Sequence, residues 1–213
     1  MTYYGQLEID SVLHNKYFLN KTNGTFIECG AFDGVMDSNT LFFYNNLKWR
    51  GINIEPLPNI YQHLIQNRVE DININMALSD TDGVKMFTQA ISTSFVHYSG
   101  HFGNGSLEHT ETHMQELQNR GCSFESFEIK TISIPTLYEQ YQINKQIDLF
   151  VLDVEGHEAK VLSQLHKINK SLFPKIITTE YGHCGEEEIK NILLPLGYTI
   201  DHKDAINIIF KME

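Results

Sequence analysis

Acidic residues recur at one kind of place in this sequence, the end of an apolar run. Glu28 follows Phe26 and Ile27, and Glu55 follows Ile52-Asn53-Ile54. Asp153 and Glu155 follow Ile147-Asp148-Leu149-Phe150-Val151-Leu152, and Glu180 follows Lys175-Ile176-Ile177-Thr178-Thr179. Runs of this kind read as buried strands, and an open α/β sheet binds its ligands beyond the C-terminal ends of its strands. A single acid at a strand end is an ordinary cap. Four strand ends carrying acids along one edge make a site for hydroxyl groups and positive charge. A carboxylate such as Glu55 can accept hydrogen bonds from both hydroxyls of a ribose.

The turn after the first strand narrows the ligand. A dinucleotide needs Gly-x-Gly-x-x-Gly, because the backbone must approach a pyrophosphate at a helix N-terminus. Here the turn reads Gly30-Ala31-Phe32-Asp33-Gly34, followed by Asp37. Those acids would repel two phosphates and suit a cationic nucleoside. S-adenosylmethionine, an adenosine bearing a sulfonium and an ammonium, is such a ligand.

The elements that must position these residues follow from periodicity and turn signals. Gln6 to Leu19 reads as an opening helix. Strands are expected at about 25–29 and 51–55, at Asp71–Ala77, and as a short segment at Val84–Phe87. Asp37-Ser38-Asn39 caps a helix over 38–47, and Pro56 and Pro58 precede a helix around Ile60–Ile65. The strand at 147–152 leads into a helix over 156–166, and a strand ending at Glu180 leads into a helix from Glu186 to Leu194. Tyr198–Ile200 and Ile206–Phe210 form a closing antiparallel hairpin. The order predicts an α/β, Rossmann-like, mostly parallel doubly wound sheet. Residues 1–213 form a single domain, interrupted by a polar insertion at 92–126. That insertion is expected to cover the site and contact the acceptor, with Phe95, Tyr98 and Phe102 as platforms.

Bulk properties exclude other classes. A net charge of −11 disfavours nucleic acid and anionic membrane. No stretch is long and apolar enough to span a bilayer. Cys29, Cys122 and Cys184 show no close pair, and Met1–Gly5 carries neither a basic region nor an apolar run, so a cytoplasmic protein without a signal peptide is expected. His109 and His113 stand one helical turn apart, but the segment lacks the Glu of a zinc protease and no third ligand is evident, which leaves a solvated helix face. Thr93-Ser94-Phe95 with His97 has no nucleophile elbow around it.

The segments Phe26–Gly34, Gly51–Pro56, Ala77–Asp80 and Ile147–Glu158, the last holding Asp153-Val154-Glu155-Gly156-His157-Glu158, resemble the ordered motifs of the FkbM methyltransferase family. The resemblance implies a class I fold that uses S-adenosylmethionine to methylate hydroxyl oxygens, often on sugars. Carried onto this sequence, Glu28 and Gly30 contact the methionine end, and Asp33, Ser38 and Asn39 line the amino-acid pocket. Glu55 holds the ribose, while Ala77, Leu78 and Ser79 border the adenine. Asp153, Glu155 and His157 face the sulfonium and the acceptor.

An acceptor hydroxyl is barely ionised at neutral pH, so a base that takes its proton is required. Asp153, rigidly placed after its strand, is the first choice and His157 the second, with Glu180 and His183 as further candidates. Asp153 and Glu180 could also share Mg2+. Glu158 is expected to point along the helix surface. The expected activity is O-methylation of a sugar or glycan, such as a rhamnose or fucose. A nicotinamide-dependent sugar reductase or epimerase and a non-catalytic binding module are the alternatives.

Overall fold

The computed structural model describes residues 1–94 and 100–213, except for the side chain of Phe102. Phe95, His97 and Tyr98, and the Phe102 side chain, therefore lie outside the described residues.

Seven strands build the main sheet. They are β1 (Thr25–Cys29), β2 (Arg50–Ile54), β3 (Ile72–Ile74), β8 (Leu149–Leu152), β9 (Ile176–Glu180), β10 (Tyr198–Lys203) and β11 (Asn207–Met212), in the spatial order β3-β2-β1-β8-β9-β11-β10. The strands from β3 to β9 pair in parallel, whereas β11 runs antiparallel to both β9 and β10. Chain order reverses between β1 and β8, so the topological switch point falls where Glu28, Gly30 and Asp153 emerge.

Both faces of this sheet are buried, which explains the near-continuous apolar runs of its strands. On one face Phe26, Leu149, Val151 and Ile209 pack on Ile9 and Leu13 of α1 (Ile9–Tyr17), on Phe42 and Phe43 of α2 (Leu41–Leu47), and on Trp49. On the other, Ile27, Ile54, Phe150, Leu152 and Ile177 pack on Leu137 and Tyr138 of α5 (Ile134–Gln140), Val161 of α6 (Glu158–Leu162) and Ile189 of α7 (Glu186–Leu193). Pro58 starts α3 (Pro58–Asn67), where its missing N–H costs nothing.

A second sheet was not foreseen. It has the order β4-β7-β5-β6, from β4 (Ala77–Ser79), β5 (Gly83–Ile91), β6 (His101–Ser106) and β7 (Ser123–Ser133). The single strand expected at Asp71–Ala77 is two strands, one in each sheet. Asn75 lies between them and donates through Nδ2 to the carbonyls of Glu55 and Pro56, both at 2.9 Å. The insertion at 92–126 holds β6, α4 (Glu111–Asn119) and the start of β7, and β7 and α5 fill a stretch to which the sequence reading assigned no element. The strand at Val84–Phe87 extends to nine residues. The helix expected over 156–166 is α6 followed by a 3-10 turn at Ser163–Lys167, and the opening helix is preceded by a 3-10 turn at Gln6–Glu8.

Candidate active site

The β1–α2 turn is held by close backbone approach. Gly30 takes φ +77°, and a Cβ built there would lie 2.0 Å from the carbonyl oxygen of Asp153. Gly30 and Ala31 both donate their N–H to Ile54 O at 3.1 Å, and Asp153 N–H donates to Cys29 O at 3.1 Å. These bonds draw the ends of β1, β2 and β8 together. Glu55 then accepts Phe32 N–H at 3.1 Å and Leu57 N–H at 2.8 Å. Burial outweighs those two bonds and pushes its carboxyl up to about 7.

Glu28 anchors the next loop. Its oxygens accept from the Ser38 hydroxyl, from Asn39 N–H at 2.8 Å and from the Thr40 hydroxyl at 2.5 Å. Beneath it lies Arg68, fully buried, donating to Asp71 (2.9 Å), Gly34 O (3.2 Å), Ser38 Oγ (3.2 Å) and Thr40 Oγ1 (2.8 Å), and 3.8 Å from Glu28. Burial nevertheless raises the Glu28 carboxyl against the lowering effect of Arg68 and the three hydrogen bonds.

Across the switch point, burial first and then the charges of Glu180, Glu155, Glu158 and Glu28 hold the Asp153 carboxyl far above the ordinary carboxylate range. Its Oδ1 is buried and has no hydrogen-bond partner among the described residues. Glu180 is pushed up to about 7 by burial, then by Glu155. His157 is buried, with Nε2 3.0 Å from Ser79 Oγ and Nδ1 3.4 Å from Glu108, and burial lowers its pKa.

These groups line one cleft with an empty volume, mouth included, of about 1260 Å³. Its lining includes the acids Glu28, Asp37, Glu55, Asp153, Glu155 and Glu180 and the apolar residues Phe32, Leu57, Ala77 and Phe87. Among the described residues, no Lys or Arg lines it. Three non-glycine lining residues sit in the left-handed region: Phe32 (φ +48°), Asp37 (+53°) and Glu155 (+56°). Such backbone strain gathers at functional sites.

The model of the methyltransferase FkbM domain matches residues 28–209. The chain belongs to the FkbM methyltransferase family. A search of curated proteins returned no match. Among solved structures, a fibrillarin/Nop5p complex has a TM-score of 0.50 at 14% identity, covering 98% of this chain and 81% of that one. An FkbM methyltransferase from Methylobacillus flagellatus has a TM-score of 0.49 at 12% identity, over 95% of this chain and 47% of that protein. Fibrillarin from Aeropyrum pernix, with natively bound S-adenosyl-L-methionine, has a TM-score of 0.48 at 12% identity, over 95% and 73%. The fold is that of class I methyltransferases, an α/β fold with a mostly parallel central sheet and antiparallel strands at its C-terminal end.

Within this FkbM fold, Gly30, Asn39, Glu55, Ala77, Leu78, Asp153, Glu155, His157 and Glu180 all line the cleft. Other expected roles need correction. Glu28 and Ser38 reach the wall, but their polar atoms are committed to protein partners, and Ser38 Oγ also accepts from Leu41 N–H at 3.2 Å. Asp33 and Ser79 do not line the cleft. Asp33 Oδ1 accepts Val35 N–H and Met36 N–H within its own turn, and Ser79 bonds His157 and Lys85. Thr40, not Asp37–Asn39, is the α2 N-cap. Glu158 is buried, not on the helix surface, and accepts Val154 N–H and Gly156 N–H, unpaired donors ahead of α6. The shared Mg2+ finds no support, because among the described residues no group of three metal-ligating side chains includes Asp153 or Glu180.

The sequence reading missed Arg68, which looks like a surface base at a helix end, and Gln89 and Asn104, which reach the cleft only because the second sheet folds over it. The strand-like alternation around Gln89 was the one available signal.

Proposed function

We propose that this FkbM protein is an S-adenosylmethionine-dependent O-methyltransferase acting on a hydroxyl of a sugar or glycan. One observation carries the cofactor assignment: a cleft at the switch point lined by six carboxylates and, among the described residues, by no lysine or arginine. Such a wall repels a pyrophosphate and favours a cation, so a nicotinamide dinucleotide does not fit. Bound S-adenosylmethionine would supply an electrophilic methyl group on a cationic sulfur. Glu55 would accept from the ribose hydroxyls, the apolar side chains of Phe32 and Leu57 beside it would take the adenine, and backbone at Gly30 would meet the methionine end.

Asp153 would accept the acceptor's proton at its unpartnered Oδ1. Its raised basicity suits that task, and a cation beside it favours the ionised form that the task requires. Gly103, Asn104, Gly105 and Leu107 approach from the second sheet and would contact the acceptor. The charge of −11 argues against RNA as that acceptor. Three unpaired cysteines support a cytoplasmic setting, and among the described residues no helix is long and apolar enough to cross a membrane.

The test is transfer of labelled methyl from S-adenosylmethionine to a panel of oligosaccharides, with RNA and protein in parallel. Transfer to a saccharide is expected. Transfer only to RNA or protein would sink the acceptor assignment, and failure of S-adenosylhomocysteine to bind would sink the cofactor.

A further inference from the structure

His113 meets in three dimensions two ligand candidates that His109, its neighbour one helical turn away, does not supply. His113 on α4, His183 in the loop after β9 and Glu155 in the turn after β8 bring one ligand atom each to within 4.8 Å of one another. His183 Nε2 lies 3.2 Å and His113 Nε2 3.8 Å from the same Glu155 oxygen, Oε2. The two imidazoles are stacked, with centroids 3.7 Å apart and planes 13° from parallel. Donor atoms around one tetrahedral zinc lie roughly 3.3 Å apart. Of the three donor pairs, His183–Glu155 already meets that spacing and His113–Glu155 must close by about half an ångström. The two imidazole nitrogens, within 4.8 Å of each other, converge on one ion when the partly exposed His183 ring turns out of its stack on His113.

The hydrogen bonds orient these groups toward a cation. His109 Nε2 is 3.0 Å from the Thr88 carbonyl oxygen, which can only accept, so that nitrogen carries the proton. The neutral ring then offers a lone pair at Nδ1, where His113 Nδ1 donates across 3.3 Å. His113 Nε2 is left with its lone pair directed at a carboxylate oxygen, in a place where His113 is almost fully buried. Glu155 Oε1 accepts from Asn104 Nδ2 at 3.1 Å, which fixes the carboxylate and leaves Oε2 for the cluster. The left-handed backbone at Glu155 and Gly156 (φ +56° and +106°) makes the turn that projects it. A carbonyl, an orienting histidine and a ligating histidine in series is the outer-sphere arrangement that metal sites use.

We propose that His113, His183 and Glu155 bind a divalent transition-metal ion of the zinc class, with His109 as the orienting partner. Two nitrogens and one carboxylate leave a fourth position open. It would face the shallow depression formed by Thr110, Thr112, Glu116 and Gly182. Because Glu155 also lines the main cleft, the ion would stand at its acceptor-side wall. The inference does not rest on the methyl-transfer reading, since binding is read without turnover.

The test is titration of the untagged, metal-stripped full chain with Co2+, followed by competition with Zn2+. One Co2+ per chain is expected, with visible d–d bands of a low-coordinate site and no thiolate charge-transfer band. His113→Ala and His183→Gln should each abolish stoichiometric uptake while S-adenosylhomocysteine still binds. His109→Phe should weaken affinity by about 10–100-fold. No saturable uptake would overturn the proposal and leave a plain His183–Glu155 ion pair. So would uptake unchanged in His183→Gln, whose partly exposed side chain can be replaced without disturbing the core, or a cobalt–thiolate band implicating Cys184.

Discussion

The two walls of the cleft are built in different ways. The wall from the seven-stranded sheet is buried on both faces, and several of its polar side chains are held by protein partners: Glu28 by four, Arg68 by five, Glu55 by two backbone donors. The wall from the four-stranded sheet has one open face, with Val84 and Met86 of β5 exposed, and reaches the cleft through Gln89 and the glycine-flanked Asn104. Rigidity on one side and latitude on the other suit a constant cofactor and a variable acceptor. Precise placement of a reacting pair needs the first property, while a change of acceptor needs the second.

Glycine substitutions break this contrast most severely. Gly30→Ala puts a Cβ 2.0 Å from Asp153 O in a left-handed backbone, and is expected to abolish S-adenosylhomocysteine binding and lower Tm. Gly103→Ala on the other wall has φ +89° but, among the described residues, nothing within 4 Å of its Cβ, so it should cost only the strain of about 1–3 kcal/mol. Calorimetry on the two variants compares the walls directly. Asp153→Asn should lower turnover by about 10²–10⁴-fold, with S-adenosylhomocysteine affinity changed only slightly. Full turnover in that variant would remove Asp153 as the base.

Ion pairs sharpen the same comparison. Arg68→Met, which leaves Glu28 and Asp71 buried without their cation, should destabilise by about 3–5 kcal/mol in urea. Lys85→Met, at a partly exposed pair with Asp80 on the second sheet, should cost about 0–1 kcal/mol. Equal losses would mean that the walls do not differ in rigidity.

The smallest effect is on pH dependence. Glu55 and Glu180 are held up to about 7 in the folded chain, against an ordinary value of 4.5. Between these values the two carboxyls bind more protons in the folded state than in the unfolded one. The stability they contribute should be lost as pH rises from about 5 to 7, against an opposite contribution from His101, His109 and His157, whose pKa burial lowers. The loss is read as the difference from Glu55→Gln. A sulfonium favours the ionised carboxylates. The affinity of S-adenosylmethionine relative to its neutral-sulfur product should therefore rise with pH through 7, by about tenfold for each pKa unit displaced. Thermal melts and calorimetry at pH 5.5 and 7.5 check both slopes, and a ratio that does not move with pH would mean that these carboxylates do not sense the sulfur.

The division between what could be read early and what could not follows from how each wall is made. Strands buried on both faces must be apolar along their length, so β1, β2, β8 and β9 announced themselves, and with them the acids at their ends and the parallel order. β7 was silent because a strand with one wet face mixes polar and apolar residues, and Ser123–Phe127 resembles a loop. Arg68 was silent because nothing local marks an arginine whose five partners lie between 3 and 40 residues away.

Sequence alone thus determined the family, the sheet and which acids stand at its edge, because strand burial and turn chemistry are local properties written in short segments. Tertiary structure alone decided which of those acids face the cleft, which are spent on holding loops, and that His113, Glu155 and His183 meet. The last three come from separate elements up to 70 residues apart, and only the packing of α4 against the ends of β8 and β9 brings their ligand atoms together.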